Sequence, residues 1–231
     1  EKNPDAPTIP GDPSMVLASM GNYIFDAQVL RDSVTSDSES EGSSHDIGGD
    51  LIPALVASGD AQVYDYADNK VPGESHADGH YWRDVGTLDS YFEASMDLVA
   101  PVPRFNLYNS QWPIFTQGLT EPPAKLSDAP NSPTRVSNCI LSSGAIIGGA
   151  SVSDSVLSRG VHIMEQANVD QSVLMEGVVI EPGARLRRCI VDKNVRIPAG
   201  FAIGIDGAAD AARFHVSTGG VVAVPKNYTI D

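Results

Sequence analysis

The densest run of reactive side chains is Tyr81-Trp82-Arg83-Asp84-Val85-Gly86-Thr87. It sets an aromatic pair, a guanidinium and a carboxylate immediately before a helix start. Gly86 permits close backbone approach, and the free amides of a helix N-terminus favour anions. A carboxylate in this setting suits Mg²⁺, whose octahedral shell takes one or two carboxylates together with substrate phosphates. A plainer arrangement is also open, with Asp84 paired to Arg83 or to backbone amides at the helix start. His45, His76 and His80 lie in or near segments of similar polarity, but their spacing defines no metal cluster. His162 directly precedes the aliphatic Ile163, so it is predicted to point outward, without the polar partner that a general base needs.

Several elements must position these groups. Thr87 is a good N-cap, and Leu88, Tyr91, Phe92, Met96 and Val99 share one face, which predicts a helix over 87–99. Asp50–Ala57 has helical spacing as well. Met15–Phe25 and the alternating Gln62–Ala67 read as strands. Ser33–Ser44 (SVTSDSESEGSS) has nothing apolar after Val34 and is expected to be a mobile surface loop. Residues 101–133 contain seven of the sixteen prolines, which excludes helix and interior strand. That stretch reads as an ordered connector pinned by Trp112 and Phe115.

Beyond the connector the aliphatic residues recur every 17 positions. Ile140, Leu157, Leu174 and Val191 form one series. Ile146, Ile163, Ile180 and Ile197 form a second, and Val152, Val169, Leu186 and Ile203 a third. Inner spacings of six, six and five imply three flat sides per coil, hence a parallel β-helix whose coils bury apolar residues only by stacking. Gly207–Phe214 reads as a short helix after it, and Gly220–Val224 as a strand that caps or edges the last coil. The expected organisation is therefore α/β over 1–100, a Pro-rich connector over 101–135 and an all-β domain over 136–231.

Composition narrows the function. A formal net charge of −15 argues against nucleic acid or an anionic membrane surface as partner. No apolar run approaches the roughly 18 residues that span a bilayer, and no signal peptide opens the chain. Cys139 and Cys189 are about three coils apart, roughly 14 Å at the usual strand spacing. That is beyond disulfide reach, so both are expected to be reduced thiols of a cytoplasmic protein. Glu1 is not an initiator methionine and reads as an internal position.

Four motifs in order carry a resemblance. Tyr81–Thr87 with Leu88-Asp89-Ser90-Tyr91 resembles the YWRDVGTLDxY signature of bacterial glucose-1-phosphate adenylyltransferases, the ADP-glucose pyrophosphorylases of glycogen synthesis. Glu1-Lys2-Asn3-Pro4 resembles that family's E-K-P motif, although Asn3 separates two residues that the family has adjacent. Ser19-Met20-Gly21-Asn22-Tyr23 is similar to its S-M-G-x-Y strand, and His45-Asp46-Ile47-Gly48-Gly49-Asp50 to its H-D-[FIM]-G-x-D segment. The resemblance implies a partial Rossmann-like nucleotidyltransferase domain followed by a left-handed parallel β-helix. It implies that Lys2 binds the phosphate of glucose 1-phosphate, and that Glu1, Ser19, Asp46 and Trp82 line the sugar pocket. Asp84 matches one of two aspartates that hold the catalytic Mg²⁺.

The glycine-rich loop and arginine that grip ATP in the family are not found in this chain, nor is the second metal aspartate. The chain thus resembles the C-terminal half or slightly more of such an enzyme and is expected to be inactive alone. The resemblance further implies a homotetrameric parent that uses ATP and glucose 1-phosphate and answers to phosphorylated metabolite effectors. Lys193 and Lys226 match basic positions implicated in that response. Arg185, Arg187, Arg188, Lys193 and Arg196 crowd one coil and its neighbour, as either a solvated face with ordinary ion pairs or an anion site. Related readings are another sugar-1-phosphate nucleotidyltransferase, such as a mannose-1-phosphate guanylyltransferase, and a noncatalytic regulatory subunit. Trp82-Arg83-Asp84 and the H-D-x-G-x-D segment favour the adenylyl enzyme.

Overall fold

The computed structural model describes residues 8–9, 11–74, 79–116, 118 and 120–230. Glu1 and Lys2, with the E-K-P-like motif, and His76 lie outside the described residues. The chain divides into two compact units, residues 1–65 and 66–231.

The first unit contains a short antiparallel pair, β1 (Thr8–Ile9) and β2 (Asp12–Val16), then α1 (Ala27–Ser38) and α2 (Ile52–Ser58). The strand expected over Met15–Phe25 ends at Val16. Gly21 then takes a left-handed φ of +74° and Ile24 is fully exposed, so the apolar run has no sheet face to fill. The expected loop over Ser33–Ser44 is helical in its first half. Asp26 caps α1 by accepting from the amides of Gln28 and Val29, and the helix runs on through Ser38. A turn of π-helix over Ile47–Leu51 leads into α2, which Gly59 closes in a left-handed C-cap.

The strand expected over Gln62–Ala67, where the first unit ends and the second begins, is not formed. Val63 and Tyr64 are exposed, so the alternation there marks no buried face, and Tyr66–Asp68 forms a single 3₁₀ turn. Next comes α3 (Leu88–Leu98), with Thr87 and Ser90 forming a reciprocal capping box, as the N-cap residue predicts. Trp112 and Phe115 are 60% and 91% exposed, so the connector is not pinned by these rings.

The parallel stack begins at β3 (Lys125–Ser127), inside the expected connector. It continues through β4 (Arg135–Leu141), β5 (Ile146–Gly148), β6 (Ser151–Leu157), β7 (His162–Ile163), β8 (Asn168–Leu174), β9 (Val179–Ile180), β10 (Arg185–Val191), β11 (Arg196–Ile197) and β12 (Ala202–Ile203). After α4 (Gly207–Ala211), β13 (His215–Val216) and β14 (Val222–Val224) form a hairpin. β14 adds in parallel to β10, capping the last coil as the sequence predicts.

Long strands β4, β6, β8 and β10 each cover two sides of the prism. Each turns a corner at one left-handed residue: Asn138, Asp154, Gln171 and Arg188, with φ of 45–50°. The short strands form the third side. Two further left-handed corners follow, one at Gly144, Gly160, Gly177 and Asn194, the other at Gly149, Gln166, Gly183 and Gly200. Such a φ is costly for most L-residues, which explains the glycines.

Register corrects two members of the aliphatic series. Leu141, not Ile140, stacks on Leu157, and Ile147, not Ile146, stacks on Ile163. Ile147 is 1% exposed and Ile146 38%. The first coil is one residue shorter than the 17-residue repeat, which shifts its residues by one against the later coils. Two positions before the inward aliphatics of one side runs a column of small polar residues, Cys139, Ser155, Ser172 and Cys189. The Ser155 and Ser172 hydroxyls donate to the carbonyls of Ser153 and Asp170, so these two serines are buried without an unmet polar atom. Both cysteines are unpaired, and burial pushes the Cys189 thiol up to about 12.

Ile140, Val156, Val173 and Ile190 point outward on the same side. There α3 covers Val156, Val173 and Ile190, setting Phe92 against Val173, Ile190 and Val221, with Leu88, Tyr91 and Met96 at the margins. This helix belongs to the β-helix unit by its packing, although it precedes the composition boundary at residue 100. Phe92→Ala is predicted to cost about 3–5 kcal/mol. Hydrogen exchange should show α3 losing protection while the rungs from β6 to β10 keep theirs; equal loss in both would contradict the independent docking of α3.

Candidate functional site

In the first unit two of the motifs meet. The Ser19 hydroxyl lies 2.7 Å from the Tyr23 hydroxyl and accepts from the amide of Gly21 at 3.2 Å. A Cβ placed on Gly48 would stand 3.5 Å from the Tyr23 oxygen and 3.4 Å from Asp46 Oδ1. Tyr23 therefore bridges the Ser19 and Asp46 segments across a glycine that leaves room for both. Its contact role is one that spacing alone did not single out; the tyrosine that closes the S-M-G-x-Y motif was the available signal.

Asp46 caps the helical turn after it by accepting from the amide of Gly49. Asp50 returns the favour, its Oδ2 accepting from the Asp46 amide at 2.9 Å and from the Ser44 hydroxyl at 2.6 Å. These two bonds, the Ser44 hydroxyl first, hold the Asp50 carboxyl below its ordinary value. The adjoining Asp37 is held low by the Ser43 hydroxyl and then by His45, whose Nδ1 is 2.9 Å away. His45 itself takes a left-handed φ of +58°, a conformation this network maintains.

In the second unit Trp82 is 48% exposed and Asp84 is exposed beside it. Asp84 Oδ1 accepts from the amide of Gly86 at 3.1 Å, which is the backbone pairing named as the plainer arrangement, while Arg83 pairs instead with Glu93 of α3 at 2.6 Å. The Tyr66 hydroxyl donates to the carbonyl of Tyr81 at 2.9 Å, and the Tyr81 ring packs on Phe105. Asp84 is thus an anchored, solvent-facing carboxylate, a fit for one ligand of a hard cation otherwise held by water and phosphate. Among the described residues no three His, Cys, Asp or Glu side chains gather as a metal site. His162 is half-buried in β7.

Lys193 and Lys226 occupy neighbouring rungs. The Asn227 amide donates to the carbonyl of Lys193 at 3.0 Å, and Asn194 Nδ2 donates to Asn227 Oδ1 at 3.1 Å. Both lysines are exposed, stacked at one corner of the prism. The arginines do not join them. Arg187 faces Asp170 at 3.6 Å, Arg196 bonds Glu181 at 2.7 Å, and Arg188 lies over the Phe92 ring at 5.0 Å. Ion pairs and a ring contact, not a common anion site, account for these three.

Residues 2–100 match the nucleotidyl transferase family model, and residues 122–224 match the model described as GlmU-like, C-terminal hexapeptide. Individual relatives are more specific. The chain is 48% identical over 231 residues to a glucose-1-phosphate adenylyltransferase of Corynebacterium jeikeium, covering all of this chain and 56% of that protein. It is 50% identical over 232 residues to the enzyme of that name from Frankia casuarinae, again covering all of this chain and 56% of the relative. For the Arthrobacter relative of the same name the figures are 46% over 232 residues, the whole of this chain and 50% of the relative. The chain spans about half the length of the curated relatives it matches. Among the described residues no helix is long and apolar enough to cross a membrane.

The lowered carboxyls of Asp37 and Asp50 fix the direction of a pH response. Their stabilisation of the 43–50 turn is fully present above the unfolded value near 3.8 and is lost as pH falls through the lower folded values. The protection factor of the Asp46 amide, taken relative to its intrinsic exchange rate at each pH, should therefore fall only below about pH 4 in the wild type. Asp50→Asn should show the faster exchange at neutral pH; unchanged exchange in that variant would contradict the role of Asp50.

Proposed function

We propose that this chain is the C-terminal portion of a glucose-1-phosphate adenylyltransferase, which makes ADP-glucose and pyrophosphate from ATP and glucose 1-phosphate for glycogen synthesis. The observation that carries the reading is 46–50% identity to enzymes of that name across the full length of the chain. On this reading the chain supplies the sugar-phosphate side of the site and the β-helix arm. Lys2 brings a point charge to the sugar phosphate, and Glu1, Ser19 and Asp46 meet the glucose hydroxyls. Trp82 offers an aromatic face to the sugar.

Asp84 would hold Mg²⁺, which would neutralise phosphate charge when bound. The remaining work of the protein is alignment, because in-line attack of the sugar phosphate on the α-phosphorus of ATP needs position and charge neutralisation more than covalent chemistry. The arm contributes to a cytoplasmic homotetramer, and the stacked Lys193 and Lys226 answer to phosphorylated metabolites. Two cations on adjacent rungs suit a phosphate ester.

The test uses the intact protein that carries this chain. Lys2→Ala should raise the KM for glucose 1-phosphate by roughly 10- to 100-fold, the worth of a charge-assisted phosphate contact, with a smaller change in kcat. The 231-residue chain alone should bind glucose 1-phosphate yet release no pyrophosphate from ATP. Turnover of GTP with mannose 1-phosphate in preference to ATP with glucose 1-phosphate would contradict the reading, as would a KM indifferent to Lys2.

A further inference from the structure

α3 is attached to the β-helix by an apolar contact, centred on Phe92, and by a separate polar one. Asp89, in the first turn of α3, accepts from the Ser217 hydroxyl through Oδ1, and through Oδ2 from the Gly219 amide at 3.0 Å and the Thr218 hydroxyl at 3.1 Å. These three donors are consecutive residues of the turn between β13 and β14. Arg188 closes the arrangement, donating from Nε to the Gly219 carbonyl at 3.2 Å while its guanidinium covers Phe92. The fit is tight, since a Cβ on Gly219 would come within 2.5 Å of Asp89 Oδ1.

The other end of the same helical turn carries the segment assigned to substrate and metal. Arg83 pairs with Glu93 of α3, Thr87 and Ser90 cap the helix, and Asp84 folds onto Gly86. Trp82 and Asp84 therefore take their position from α3, and α3 takes its rotational setting from a directional contact that Phe92, which can slide over an aliphatic face, does not provide.

We propose that Asp89 is a positioning residue: it latches α3 to the β13–β14 turn and thereby sets Trp82 and Asp84 for the sugar phosphate. The sugar-phosphate role of Trp82 and Asp84 is taken from the function proposed above. The β-helix cap is on this account part of the binding apparatus and not only an assembly surface.

The test is made in the Trp112→Phe background, which leaves Trp82 as the sole tryptophan. Asp89→Ala and Thr218→Val break the latch from its two sides. Acrylamide quenching of Trp82 should rise in both variants, and calorimetry should show glucose 1-phosphate binding weakened roughly tenfold in Asp89→Ala, as expected when a binding group is misplaced. The double variant should be no worse than Asp89→Ala, because both changes remove one contact. Far-UV circular dichroism should keep the β-helix signal. Asp89→Ala with that signal intact and wild-type Trp82 quenching would overturn the proposal, whereas a contact that only stabilises would lower the melting temperature and leave quenching unchanged. Should Asp89→Ala fail to fold, Thr218→Val decides by the same quenching measurement. If the unmutated chain binds no glucose 1-phosphate, the functional reading fails, and Trp82 quenching still decides the latch.

Discussion

Rung-on-rung stacking is the constraint from which the rest of this structure follows. Each coil hides Leu157, Ile163 and Val169, or their equivalents, only because the coils on either side do the same. A slip of one residue in any rung would turn its aliphatics to solvent, so register is enforced by every buried column at once. Corners complete the constraint. Two corner columns are mostly glycine, which takes the left-handed conformation freely, whereas the third carries Asn138, Asp154, Gln171 and Arg188. Those side chains recover part of the backbone cost of roughly 1–2 kcal/mol per residue through contacts that glycine cannot make. Asn138 bonds Asp154 on the next rung, and Arg188 reaches Gly219 and Phe92.

A prism built this way has flat outer faces, and one of them is apolar. Val156, Val173 and Ile190 would expose a hydrophobic strip if α3 were absent. The helix that covers the strip is the one whose N-terminus holds the Tyr81–Thr87 segment. The stack seats α3, and α3 carries the Tyr81–Thr87 segment at its N-terminus. The buried thiol of Cys189 and its serine neighbours belong to the same logic, filling space behind the corner without offering reactivity.

Much of this was legible in the sequence, and the failures have specific causes. The repeat, α3 with its Thr87 cap, α4 and the capping strand at Val222–Val224 are all local or periodic signals, and each is present. The first coil was read one residue out because Ile140-Leu141 and Ile146-Ile147 are both apolar pairs, and only pairing to the next rung chooses between their members. The helical half of Ser33–Ser44 was hidden by its polar composition; its helix is nucleated upstream, at Asp26, by a cap whose effect reaches past the apolar residues. Alternation at Gln62–Ala67 carried no face to bury and so no strand. Asp46, Ser19, Trp82 and Asp84 were visible as motif residues, but the contacts of Tyr23 and the clamp of Asp50 on the Asp46 amide are spatial facts that no spacing encodes. The basic cluster failed for the opposite reason: neighbours in sequence, Arg187 and Arg188, diverge on a strand to different partners.

The central proposal is that this chain binds glucose 1-phosphate. Amide chemical-shift mapping of the isotopically labelled 231-residue chain during titration with glucose 1-phosphate tests it most directly. The account predicts saturable shifts at Ser19, Asp46 and Trp82 and none of that size when mannose 1-phosphate is added instead. Shifts confined to the β-helix corners, or equal response to both sugars, would contradict it.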